Sequence, residues 1–151
     1  DVVLPRGTPQ TTRQFWYGGH IDNVERALRE CPATQFLGHA PGFWREISGD
    51  AEQEPLGYPK GRPVKPGGKV LRLLDTYPNL HCDLSAGSGL TALSRDLDFT
   101  RKFLADYQDR CFFGRDDFDG KLLELLLSLA LPETALQKIL AGNADRLVRV
   151  A

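Results

Sequence analysis

Methionine is absent from the sequence, and cysteine occurs only three times, as Cys31, Cys82 and Cys111. The odd number and wide spacing argue against a disulfide framework. Two of the three lie inside apolar runs, so reduced, buried thiols in a cytoplasmic protein are expected. There is no Cys-x-x-Cys or Cys-x-x-x-His pair to suggest structural zinc. A net charge of −1 leaves no electrostatic footprint for nucleic acid. No apolar run is long enough to span a bilayer, no basic amphipathic helix suits its surface, and no signal peptide opens the chain. A small-molecule substrate is the expected partner. Lacking methionine and opening on Asp1-Val2-Val3-Leu4, the chain is expected either to have lost an initiator or to begin inside a longer protein.

What is present is one domain's worth of chain, 151 residues, with room for a real core. The stretch Gln35 to Trp44 organises the rest. Its short apolar run, Phe36-Leu37-Gly38, ends in His39, and Ala40-Pro41-Gly42 then forbids continuation. A buried parallel strand that delivers a polar side chain to the end of a sheet and then turns has this pattern.

Residues 1 to 20 are irregular, and Pro5 and Pro9 argue against an internal strand. The triplet Phe15-Trp16-Tyr17 before two glycines reads as a pinned loop or a pocket wall, and His20 as solvated. Apolar residues at helical spacing predict a helix from Ile21 to Cys31, ended by Pro32. A strand from Thr34 to Gly38 follows. Residues 40 to 66 show little periodicity, and such a long connection reads as a lid over a site or as a surface insertion. Its Phe43, Trp44 and Tyr58 argue against plain disorder. Further helices are expected at Lys69 to Tyr77, Leu97 to Tyr107 and Gly120 to Ala130. Pro132 reads as the first helical residue of the next one, and Ala144 to Val150 closes the chain. Strands are expected at Asn79 to Ser85 and Arg110 to Gly114.

Three times a helix ends in Cys-Pro, Tyr-Pro or Tyr-Gln, a short turn follows, and an apolar run ends in a polar residue and glycine. The units are Cys31 to Gly42, Tyr77 to Gly87 and Tyr107 to Asp117. Strands alternating with helices imply βαβ units, a parallel sheet, and a site at the C-terminal ends of the strands. His39, Asp83 and Asp116 fall there. Imidazole and carboxylate together suit a divalent metal such as zinc, whose bound water ionises near pH 7. Without a metal, His39 suits a general base. Plainer readings exist for each: a locally bonded His39, an Asp83 that holds a turn, and Asp116 and Asp117 capping a helix. His81 alternates with Asp83 and faces the same side. Arg45, Lys60, Arg62, Lys65 and Arg115 are the cations that could draw a carboxylate, although exposed Lys and Arg are usually just solvated.

Four segments resemble the C-terminal half of the amidohydrolase superfamily, in the amidohydrolase 2 branch related to aminocarboxymuconate semialdehyde decarboxylase. Phe36-Leu37-Gly38-His39-Ala40-Pro41-Gly42 resembles that branch's sixth strand. Tyr77-Pro78-Asn79-Leu80-His81-Cys82-Asp83-Leu84-Ser85 resembles its seventh, and Arg110-Cys111-Phe112-Phe113-Gly114-Arg115-Asp116 its eighth. Ile139-Leu140-Ala141-Gly142-Asn143-Ala144-Asp145-Arg146-Leu147 resembles its terminal helix. The resemblance covers about Asp22 to Val150.

It implies an α/β fold, the C-terminal half of a (β/α)8 TIM barrel over residues 1–151, about strands five to eight, with the long loop at 40–66. It implies a divalent metal, usually zinc, in hydrolysis or non-oxidative decarboxylation of small carboxylated or cyclic substrates. By motif match Asp116 is a metal ligand that orients the attacking water, and His39 a metal ligand or water-activating group. Trp44, Arg115 and Asp83 are the expected substrate contacts. The chain departs from the family in three ways. A strand-one His-x-His is absent, so is a strand-five histidine unless it lies just before Asp1, and Arg115 replaces the usual Ser or Thr. A full barrel takes about 250 residues, so a missing N-terminal half-barrel, or a homodimer partner in its place, is expected. A non-catalytic half-barrel that binds a small ligand or self-associates is the alternative.

Overall fold

The structure of the protein, a computed structural model, describes residues 20–53, 62–85, 87–116 and 120–147. Expectations placed on the Phe15 triplet, Pro5 and Pro9, Tyr58, Lys60, Asp117 and the last residues of the C-terminal helix lie outside the described residues.

Helix α1 (Ile21–Glu30) turns Ile21 and Leu28 into the core, as its spacing predicts. His20 is not merely solvated. It is the N-cap, its Nδ1 accepting the Asp22 N–H at 3.3 Å. That bond satisfies one of the donors a helix start leaves unpaired. Strands β1 (Phe36–Gly38), β2 (Leu80–Leu84) and β3 (Cys111–Phe113) form one parallel sheet in the order β1-β2-β3. Leu37 lies opposite His81, and Cys82 lies between Gly38 and Cys111. The fold is α/β, with strands separated by helices along the chain. A sequential strand order with crossovers of one hand brings the connecting helices to one face.

That face carries Leu80, Cys82, Leu84 and Cys111, none exposed, packed in one cluster with Leu28, Val70, Leu73, Leu93, Phe103 and Leu104. Each such leucine, valine or phenylalanine contributes roughly 1.5–3 kcal/mol by leaving water. On the other face Leu37 is 49 % exposed, although a parallel sheet ordinarily has both faces covered. On the core face Cys82 and Cys111 are the buried thiols expected, whereas Cys31 is exposed. Burial, and the neighbouring Cys111 thiol, hold the Cys82 thiol well above its ordinary pKa.

The segment after β1 departs most from expectation. It begins as helix α2 (Ala40–Trp44), continues as 3-10 turns at Arg45–Ile47 and Ala51–Gln53, and reaches helix α3 (Lys69–Thr76). Ala40 adopts φ 70°, which turns the chain sharply off the strand, and Pro41 then suits the start of a helix. Residues Phe43 to Ser48 of this segment are buried. A Cβ on Gly38 would lie 2.3 Å from the Phe43 ring, so glycine is what lets that ring cross the strand end.

Between β2 and β3 lie α4 (Gly87–Ser94) and α5 (Leu97–Asp106). Asp96 caps α5, its side chain accepting the Phe99 N–H at 3.1 Å. After β3 come α6 (Lys121–Ser128), α7 (Glu133–Gln137), a π-helical turn (Lys138–Gly142) and α8 (Asn143–Leu147). Pro132 is the N-cap of α7, one residue ahead of the expected position.

Two buried asparagines close the N-terminal end of the sheet. Asn79 Nδ2 donates to the carbonyls of Leu28, Cys31 and Thr34 at 3.1–3.2 Å. Asn143 Nδ2 donates to those of Gln108 and Cys111 at 2.7 Å. Asn79 thereby satisfies the Leu28 carbonyl in the last turn of α1, and Asn143 ties the turn after α5 to the start of β3. Among the described residues no helix is long and apolar enough to cross a membrane.

Candidate active site at the strand ends

A polar residue lies at or just beyond the C-terminal end of each strand, and the parallel register brings these residues together. His39 leaves β1 extended, at φ −140° and ψ 169°. Asp83 is the fourth residue of β2, with Ser85 just beyond it on the same face. Asp116 follows β3, and its N–H donates to the Ser85 carbonyl at 3.4 Å. Gly114 lies beneath this group. A Cβ there would be 3.4 Å from that of Ser85 and 3.7 Å from an Asp83 oxygen.

His39 is the centre. Its Nδ1 is 2.9 Å from Asp83 Oδ2 and 3.3 Å from Ser85 Oγ. Its Nε2 is 4.0 Å from Asp116 Oδ2. An ionised carboxylate only accepts, so the Asp83 contact makes Nδ1 the protonated nitrogen and leaves the lone pair on Nε2, toward Asp116. The same assignment excludes a serine-hydrolase triad. There the serine would share a proton with the histidine nitrogen opposite the aspartate, but here Ser85 and Asp83 meet the same nitrogen.

The donor set suits two positions of a divalent-cation site. A metal-binding histidine ordinarily holds its second nitrogen on a carboxylate or carbonyl, as His39 does on Asp83. Asp116 supplies a carboxylate facing the other nitrogen. Zinc takes about four ligands, and the described residues contain no group of three or more His, Cys, Asp or Glu able to hold a metal.

The remaining expected site residues distribute differently. Arg115 is exposed and immediately precedes Asp116. Asp83 touches His39, so its first structural partner is the histidine. Trp44, expected at the substrate, is instead fully buried. Its ring meets those of Phe43 and Phe103 edge-on, at centroid distances of 5.4 and 6.4 Å. The tryptophan follows a strand-end motif in sequence, but α2 turns it inward to pack against α4 and α5. Arg45 is likewise buried, its guanidinium donating to the Ala51 carbonyl, and is not available to draw a carboxylate.

Ser85 is the rim residue that the sequence reading passed over. The signal was available, because it stands two residues after Asp83 and therefore shares its face. His81 lies one step deeper on that face, buried, edge-on to the Phe112 ring at 5.1 Å. Its Nε2–H donates to Gln35 Oε1 at 2.7 Å. Burial, then the charges of Arg110 and Arg146, lower its pKa to about 4.

A cavity of about 420 Å³ lies elsewhere, lined by Glu46, Ser48, Glu52, Gln53 and Lys69 among others. Lys69 Nζ stands in it, 3.1 Å from Glu52 and 3.9 Å from both Glu46 and Asp22. Burial raises the pKa of Glu46. The network ties α1 and the 3-10 turns to α3, and His39, Asp83 and Asp116 take no part in it.

No protein-family model, curated protein or solved structure matches this chain. The likeness to the amidohydrolase branch rests on the four motifs alone.

Proposed function

We propose that the chain carries part of the active site of a metal-dependent enzyme. The reaction is hydrolysis or non-oxidative decarboxylation of a small carboxylated or cyclic substrate, on the C-terminal half of a (β/α)8 barrel. The observation that carries this reading is the meeting of His39 Nε2 and Asp116 Oδ2 at 4.0 Å, with Asp83 holding the opposite nitrogen. The sequential, all-parallel strand order supports the barrel. In this reading His39 and Asp116 are two ligands of a divalent cation, zinc first, and further strands supply the rest. A bound cation supplies a water that ionises near neutral pH. Asp83 keeps the His39 lone pair aimed at the rim. Asp116 orients the attacking water and accepts its proton, a role its exposure permits.

The test is zinc titration of the 151-residue chain by calorimetry, beside His39→Ala and Asp116→Ala. The expected result is measurable zinc affinity in the parent, weaker by tenfold or more in each variant, with folding intact by circular dichroism. Equal affinity in all three proteins refutes the proposal.

One observation favours a second reading, that of a self-associating half-barrel: Leu37 stands half exposed on a sheet face that normally requires a cover. A dimer on a sizing column that Leu37→Lys dissociates, without any zinc requirement, is its signature.

A further inference from the structure

Two of the described residues other than glycine have positive φ, Ala40 at 70° and Ala130 at 50°. Ala130 directly follows Leu129, the C-cap of α6, where a left-handed residue is routine. Ala40 has no such setting. It opens α2 between His39 and Pro41, and a residue before proline ordinarily stays extended. A conformation of this kind persists only where the surrounding structure over-determines it. Here it is fixed from both sides. Upstream, the sheet holds Gly38 opposite Cys82. Downstream, α2 is anchored by Phe43 and Trp44, both buried, whose rings meet edge-on at 5.4 Å. The two anchors also touch each other, because the Phe43 ring occupies the space that a Cβ on Gly38 would take. Residues 39–42 are therefore a short loop closed at its base. His39 and Ala40 join the strand to the helix, so the anchors dictate their backbone angles. Those angles bring the His39 ring to Asp83 and Asp116.

We propose that Ala40 is a positioning residue of the cation site: its left-handed turn, latched by the Phe43 ring on Gly38, holds His39 against Asp116. The inference rests on the function proposed above and deepens it, by naming what presents one of the two ligands. Burial of Phe43 and Trp44 offsets the strain at Ala40. Released from the latch, alanine leaves the left-handed region, which only a few per cent of non-glycine residues occupy. Glycine takes positive φ about as readily as negative, so it stays there without a latch about half the time. Affinity scales with the fraction of molecules in the competent state. Loss of the latch therefore weakens zinc about tenfold or more in the parent background, but only about twofold in the Ala40→Gly background.

Two readouts on the 151-residue chain test this. One is zinc affinity by calorimetry. The other, taken without zinc, is the nuclear Overhauser effect between the His39 ring and the Ser85 side chain, whose Nδ1 and Oγ stand 3.3 Å apart. Phe43→Leu deletes the outer ring atoms that lie on Gly38, and Gly38→Ala displaces the ring from the other side. Circular dichroism follows folding, and either latch variant carries the test if the other fails to fold. Each is expected to weaken zinc about tenfold or more and to dim the Overhauser effect to match. Adding Ala40→Gly to either restores both readouts to within about twofold of the parent. Ala40→Gly alone changes neither. An equal loss with and without Ala40→Gly overturns the proposal, since it marks a damaged core and not a turn that has sprung open. An undimmed Overhauser effect in the latch variants overturns it as well. Zinc bound by the parent and indifferent to the latch sinks this inference alone. The expected Overhauser pattern in a parent without zinc affinity leaves Ala40 positioning His39 and sinks the metal reading alone.

Discussion

His81 makes the stability of the protein depend on pH in a way that can be worked out from its surroundings. It is 5 % exposed, bonded through Nε2–H to Gln35, and held neutral down to about pH 4. An unfolded chain titrates the same imidazole near 6.5. Between those values the unfolded state binds the extra proton, so stability rises with pH across the window and is lost as pH falls through it. The full difference, 2.5 units, corresponds to about 3.4 kcal/mol, of which about 2.5 kcal/mol falls between pH 7.5 and pH 4.5. Other groups titrate nearby. Glu46 is raised, whereas Glu25 and Asp50 are lowered, by Arg72 and Ser48 respectively. The useful quantity is therefore the difference from His81→Gln, which is uncharged throughout and can still donate. Urea denaturation of both proteins at several pH values should show the gap changing by about 2.5 kcal/mol, with the parent losing more on acidification. A gap that stays constant within about 0.5 kcal/mol would show that the ring is solvated or already charged.

Gly68 caps α3, and a Cβ there would lie 2.1 Å from the Ile47 carbonyl oxygen. Backbone cannot yield as a side chain can, so Gly68→Ala should cost about 1–3 kcal/mol in urea denaturation, whereas Gly42→Ala, with nothing near its Cβ, should cost much less. Thiol titration of the native protein should label Cys31 alone, and all three cysteines in denaturant. Fast native reaction of Cys82 or Cys111 would contradict the packing of β2 against β3.

Much of the fold was legible. The stops at Pro32 and Pro78 and the apolar runs before polar rim residues are local signals, and the sheet follows them. Helix α4 was not, because Gly87 and Gly89 hide its spacing and its helicity comes from packing Ala92 and Leu93 into the core. The segment from Ala40 to Gln53 also resisted. Its aromatic and charged residues suit a surface strap equally well, and only the left-handed turn at Ala40 sends them inward. At the rim, His39, Asp83 and Asp116 could be placed from strand ends. Which nitrogen of His39 each acid meets could not be, since that depends on register between strands more than forty residues apart.

The amide clamps of Asn79 and Asn143 sit at the foot of the sheet, away from His39. They carry no charge and grip main-chain oxygens, so their hold is indifferent to salt, to acidity and to the identity of neighbouring side chains. The molecule is thus hinged at one end by chemistry that does not vary, while the opposite end can exchange its loops without loosening that hinge. Sequence variation on this framework would begin there, among the segments that leave the tops of the strands.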